Sequence, residues 1–118
     1  MENQNKKYDL EERTALFAER VRDFCLKLPK NVANNEYAVQ LIRSGSSPGA
    51  NYIEANESLS KKDFTMWIKI SRKEVKESRY WLNLIDVQDE NLNKEKNELI
   101  IESTELMNIF GAIIQKIS

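Results

Sequence analysis

Apolar residues recur along this chain at alternating spacings of four and three. Leu10, Thr14, Phe17, Val21, Phe24 and Leu28 make one such series, with Thr14 its single polar member. This is the seven-residue repeat of a helix face packed on a neighbour. Asp9 with Glu12 predicts the helix start, the Asp carboxylate accepting orphan N–H groups and Glu12 reaching back to the cap. Pro29 predicts its end, because a residue before proline is driven from the helical region. Residues 1–8 are polar and read as a mobile lead-in, leaving 9–118 as one domain.

A second helix is expected from about Glu36 to Ser58, after a short connection, with Asn34 or Asn35 as its N-cap. Its stripe comprises Ala38, Leu41 or Ile42, Gly45, Gly49, Tyr52, Asn56 and Leu59. The stripe runs straight through Arg43–Asn56, a stretch whose Gly, Ser and Pro otherwise suggest a loop. A linker has no reason to keep helical phase, so this predicts one helix with a small-residue waist where a neighbouring backbone comes close. Pro48 removes a hydrogen bond and clashes with the Ser44 carbonyl, costing roughly 3 kcal/mol in a helix interior. A helix kinked near Pro48 is the expected outcome. The alternative is a break, with Ser47 as N-cap and Pro48 at the first helical position.

Ser60 with Asp63 predicts the cap of a third helix, whose core stripe is Phe64, Ile68, Ser71, Val75, Ser78, Leu82 and Ile85. A second stripe beside it holds Trp67, Ile70, Glu74, Glu77, Trp81 and Leu84. After a polar turn at Gln88–Asn91, a fourth helix carries Leu92, Leu99, Ser103, Leu106, Phe110, Ile113 and Ile117, with Ile100, Met107 and Ile114 on an adjacent line. Gly111 within it suggests close packing. Four helices of similar length joined by short connections must run antiparallel, so the predicted fold is all-α, an up-down-up-down four-helix bundle.

Composition agrees: 118 residues suit one domain, and only three Gly and two Pro suit long helices. No secretory signal or membrane-length apolar run is visible, so a cytoplasmic protein with no membrane association is expected. The lone Cys25, beside Phe24, reads as a buried thiol. The net charge of -1 conceals a segregation. From Ser60 to Arg79 seven basic residues face three acidic ones; from Tyr80 to Ser118 three basic face seven acidic. Such segregation suits an anionic partner, two helices that complement each other, or two subunits that do.

Catalytic chemistry is missing from this picture. With no histidine, the Ser-His-Asp and Cys-His arrangements, the usual zinc sites and the di-iron bundle motif have no ligands or bases. Gly45-Ser46-Ser47-Pro48-Gly49 lacks the Gly-Lys-Ser/Thr ending of a phosphate loop. No catalytic residue, cofactor or metal site is expected, and nothing positive supports an enzyme.

Three groups of residues remain as candidates. Trp67 and Trp81, on the surplus stripe of the third helix, are candidates for an oligomer interface; the bland reading is one wide core face. Lys62, Lys69, Arg72, Lys73, Lys76 and Arg79 are candidates for phosphate contacts with RNA or DNA; the bland reading is a solvated face paired with Glu74 and Glu77. In the waist helix, Asn51 needs hydrogen-bond partners if buried and Glu54 a cation, with Arg43 a partner through a neighbouring helix or subunit.

The run from Leu41 to Ala55 resembles the signature of the four-helix-bundle proteins encoded in 23S rRNA intervening sequences, roughly Leu-Leu-Arg-Ser-x-x-Ser-x-Gly-Ala-Asn-x-x-Glu, onto which Arg43, Ser44, Gly49, Asn51 and Glu54 fall. Phe24–Lys30, Lys62–Phe64 and Glu77–Leu82 resemble flanking pieces of the same family, so the likeness spans about residues 8 to 116. The resemblance implies a bundle that self-assembles into a ring, typically a homopentamer. It also implies kinship with the accessory variability determinant of diversity-generating retroelements, whose pentamer binds a reverse transcriptase and nucleic acid through basic surfaces. Pro48 stands where the family usually has an aliphatic residue, and this chain is slightly acidic rather than strongly basic. The function this implies is a non-enzymatic interaction scaffold, with an RNA- or DNA-binding accessory protein as the alternative.

Overall fold

A computed structural model describes residues 9–117; the expected mobile lead-in at 1–8 lies outside them. The first helix, α1 (Leu10–Leu26), starts where Asp9 Oδ1 accepts the Glu12 backbone N–H at 2.8 Å. It gives way at Lys27, two residues short of Pro29.

The second helix, α2 (Val32–Glu57), begins four residues earlier than its sequence suggests. Asn31, rather than Asn34 or Asn35, is the N-cap, its side chain accepting the Asn34 N–H at 2.8 Å. Asn34 is instead a buried first-turn residue whose amide donates to the Pro29 carbonyl at 3.1 Å, tying the α1–α2 turn together. Helix α2 is unbroken through Pro48, so the break at Ser47 does not form. Pro48 is buried, and its carbonyl accepts the Ser71 hydroxyl of the third helix at 3.2 Å. Tertiary packing thus offsets the local cost of the proline.

The third helix, α3 (Lys61–Leu84), is capped by Ser60, whose hydroxyl accepts the Asp63 N–H at 3.1 Å. The fourth, α4 (Glu90–Ile117), is preceded by Asp89, which accepts the Leu92 N–H at 2.9 Å in the same way. Lys96 reaches back to the Ile85 carbonyl at 2.7 Å and closes the end of α3.

Each helix packs on the next, and α4 returns to α1, completing an antiparallel up-down bundle. Phe17, Phe24, Leu41, Ile68, Val75, Leu82, Leu99, Leu106 and Phe110 fill the centre. Along α2 the buried line is Leu41, Ser44, Gly45, Pro48 and Ala55. Ile42, Asn56 and Leu59 of the expected stripe face solvent instead. Leu59 lies beyond the end of α2 at Glu57, and of the alternative positions Leu41 and Ile42 it is Leu41 that is buried.

The glycine waist is where α1 comes in. A Cβ on Gly45 would stand 3.1 Å from Val21 Cγ1, and one on Gly49 would stand 3.0 Å from Thr14 Oγ1. Gly111 differs from its expectation of close packing: a Cβ there would meet only Arg72 Nε, at 3.5 Å.

Candidate interaction surface

The charge segregation resolves into an unexpected pairing. The acidic residues of α4 are met by α1 rather than by the basic α3. Arg13 forks onto Glu102, Nε to Oε2 at 2.8 Å and Nη2 to Oε1 at 2.9 Å, and reaches Glu105 at 2.6 Å. Lys27 meets Glu95 at 2.7 Å, and Arg20 stands 3.7 Å from Glu98. These bridges climb the α1–α4 seam at steps of two turns along α1 and one turn along α4. The Glu102 hydrogen bond, outweighing the cost of burial, holds the Arg13 guanidinium above its ordinary range.

Helix α3 therefore keeps its charge. Lys62, Lys69, Lys73 and Lys76 are exposed on its outer side, and among the described residues no ion pair reaches them. The other two predicted phosphate contacts turn aside: Arg72 lies toward Gly111 of α4, and Arg79 is half-buried and donates to Thr104 Oγ1 at 3.1 Å. The structure brings four of the six basic candidates to one face. Glu74 makes no ion pair with these lysines among the described residues. This half-buried carboxyl is raised above its usual range by burial and then by Glu77, against the pull of Lys73 and Arg43.

The waist motif splits by side. Ser44 is buried and accepts the Ser78 hydroxyl at 2.9 Å, joining α2 to α3. Gly49 makes room for α1. Arg43 and Glu54 are exposed, form no ion pair with each other, and share the α3-facing flank of α2 with the half-buried Asn51. The anticipated Arg43–Glu54 lock is not made within one chain; Arg43 pulls instead on Glu74.

Trp67 and Trp81 are half-buried and packed against the core. The Trp81 ring lies 6.0 Å from Tyr37 of α2 and 5.0 Å from Tyr80. Its Nε1 is buried without a hydrogen-bond partner among the described residues. Trp81 is thus spent against α2, and both tryptophans widen the core face of α3.

Further apolar surface lies outside the core, part of it on the stripe residues Ile70 and Ile117. On the outer side of α3, Met66, Ile70 and Ile117 floor an open groove of about 870 Å³ rimmed by Lys61, Lys62, Lys69 and Lys73. Between α1 and α2, Ala15, Ala18, Gly49, Ala50 and Ile53 floor a second of about 490 Å³, edged by Glu11 and Glu12. Leu59 is 100% exposed in the turn between α2 and α3. The signal for the second groove was present as Ala15, Ala18, Ser46 and Ala50, small residues off the core stripes.

Cys25 packs against the core, and burial pushes its thiol up to about 12. Among the described residues, no group of three or more Cys, Asp or Glu is placed to hold a metal ion. No helix among them is long and apolar enough to cross a membrane.

An up-down bundle of four helices that presents charged and apolar surfaces belongs to the class of small helical packing modules. The sequence profile of the 23S rRNA-intervening sequence protein family matches residues 6–112, and the chain belongs to that family. Among solved structures it is similar to a protein of unknown function from the S23 ribosomal protein family of Bacteroides thetaiotaomicron VPI-5482, determined at 1.70 Å resolution. That similarity has a TM-score of 0.75 at 28% identity and covers 88% of this chain and 96% of the other. Among curated proteins, none matches this chain.

Proposed function

We propose that this protein is a non-enzymatic interaction scaffold that assembles into a cyclic homo-oligomer, a pentamer in the family pattern. The observation that carries this reading is the apolar surface left over once the core is complete. Ile53 is 45% exposed, Met66 45% and Leu59 100%, all toward one end of the bundle. Exposed apolar side chains left over in this way are characteristic of surfaces that meet another protein. Size-exclusion chromatography with multi-angle light scattering tests it. The expected mass at micromolar concentration is a multiple of the 13.8 kDa chain, five-fold for the pentamer. A single-chain mass at every salt concentration would sink the reading.

A second reading is favoured by a separate observation, the four unpaired lysines on the outer side of α3. They suit an RNA or DNA backbone, and the scaffold would then act as an accessory protein, with a reverse transcriptase as a further partner. Phosphate contacts release counterions, so binding of a fluorescent oligonucleotide should weaken steeply with salt. Replacing Lys62, Lys69, Lys73 and Lys76 by alanine should abolish it. Affinity unchanged by that replacement would rule this surface out.

A further inference from the structure

The two apolar grooves bear opposite charges and stand at the same height on the bundle. The α1–α2 groove spans Glu11 to Ala18 on one helix and Ser46 to Ile53 on the other. The α3 groove spans Lys61 to Lys73. Gly49 abuts Thr14, and the Pro48 carbonyl takes the Ser71 hydroxyl, so these segments are level across α1, α2 and α3. The grooves open on different sides of the molecule, one between α1 and α2, the other on the outer side of α3 and bounded by Ile117 of α4.

From this placement we infer that the two grooves are the two halves of one subunit contact. The Glu11/Glu12-edged groove of one copy receives the Lys69/Lys73-rimmed groove of the next. This deepens the self-assembly reading and rests on it. Three physical features fit together. First, the floors are apolar and the first is built of alanine and glycine, so a facing helix can come close without displacing large side chains. Second, the rims are complementary in sign, and like charges facing each other would exclude the alternatives in which a groove meets its own copy. Third, a ring whose axis runs along the helices keeps all subunits at one height, so surfaces that meet must be level. Surfaces on different sides of a subunit engage head to tail, leaving one free half of each kind at the two ends of a growing oligomer, and a ring closes when those two meet.

The lysines of α3 are then interface residues, and the occupant of their groove is a second copy of this chain rather than a nucleic acid. Ala50 is exposed at the floor of the acidic groove, and Glu11, Glu12, Lys69 and Lys73 are all exposed, so replacing them leaves the core of the bundle untouched.

The experiment is a charge swap read by light-scattering mass, with far-UV circular dichroism confirming that each variant is helical. E11K/E12K and K69E/K73E should each raise the dissociation constant on the order of a hundredfold and leave single chains where the unaltered protein assembles. E11K/E12K/K69E/K73E, which restores complementarity with the signs exchanged, should recover the assembled mass. Ala50→Arg, which fills the small-residue floor, should also give single chains. If the reversals and Ala50→Arg all keep the assembled mass, the pairing of these grooves is wrong while self-assembly stands. If both reversals dissociate the protein and the swap fails to recover it, the charge pairing is wrong. If K69E/K73E keeps its mass and loses only oligonucleotide binding, the α3 groove belongs to a nucleic acid. An unaltered protein that is itself a single chain fails the self-assembly reading first.

Discussion

Gly45 and Gly111 both sit inside helices, where glycine costs about 1 kcal/mol relative to alanine, but only one of them needs to be glycine. Gly45 faces Val21, a buried β-branched side chain with little rotamer freedom to give way. Gly45→Val should lower stability by about 2 kcal/mol through overpacking at the α1–α2 contact. Gly111→Ala places its methyl at ordinary contact distance from Arg72 and should raise stability by about 0.5–1 kcal/mol. Urea unfolding of the two variants checks both signs. Cys25 is a second residue-scale case. With its thiol pushed up to about 12 by burial, it stays protonated at neutral pH and should react slowly with iodoacetamide until the chain is unfolded. The unfolded thiol ionises near 9.0, so this group adds no pH dependence below that value. Above it the unfolded state loses its proton first, and stability falls as pH rises toward 12. A Cys25→Ser variant should flatten that alkaline limb in thermal melts.

At the scale of the helix, the α1–α4 seam is held differently from the others. The α1–α2 seam is a close approach over glycines, and the α2–α3 seam carries buried hydroxyls, Ser44 to Ser78 and Ser71 to Pro48. The α1–α4 seam carries a ladder of ion pairs centred on the Arg13 fork. A bidentate, partly shielded pair is worth more than a freely exposed one. Arg13→Ala should cost about 1–2 kcal/mol in urea unfolding. Arg13→Lys should recover only part of it, because an ammonium cannot supply the two-pronged geometry. The guanidinium is held above its ordinary range, so its contribution is fully present below that range. Between pH 5 and 9 the loss caused by Arg13→Ala should be nearly constant as far as Arg13 itself is concerned.

Across the whole molecule these seams are unequal. The 17-residue α1 is the shortest helix, and the α2–α3 and α3–α4 packings are the most extensive. Local opening free energies follow buried contact, so α1 should open before the rest. Native-state hydrogen exchange should find the amides of α1 exchanging faster than those of α3 between Ser71 and Ser78. The reverse order would show that the glycine contacts and the ion ladder bind α1 more tightly than their extent suggests. A subunit contact through the α1–α2 groove would raise α1 protection with protein concentration, so the same measurement at two concentrations reports on assembly.

Much of the fold was legible from local signals, because helix stripes, caps and short connections act within a few residues. Asp9 and Ser60 cap as their sequences indicate, and the core stripe of α3 is buried at Ile68, Ser71, Val75, Ser78 and Leu82. The start of α2 was misplaced because Asn31, Asn34 and Asn35 are alike as caps in isolation; the turn after Pro29 selects among them, with Asn34 needed to hold the Pro29 carbonyl. The candidate surface was less legible, since which charges are free depends on which helices meet. Lys62, Lys69, Lys73 and Lys76 look the same as Arg72 and Arg79 along the chain, and only packing against α4 separates them.

The sequence by itself determined the helices, their number and their antiparallel order, because periodicity and connection length are local properties. It also determined the family, through the motif from Leu41 to Ala55, and withheld the histidines that most metal and acid–base sites need. Tertiary structure alone decided that α2 passes unbroken through Pro48, that the acids of α4 answer the bases of α1, and that two grooves of opposite charge lie level on different sides of the bundle. Each of those depends on distances between residues far apart in the chain, which no local pattern encodes.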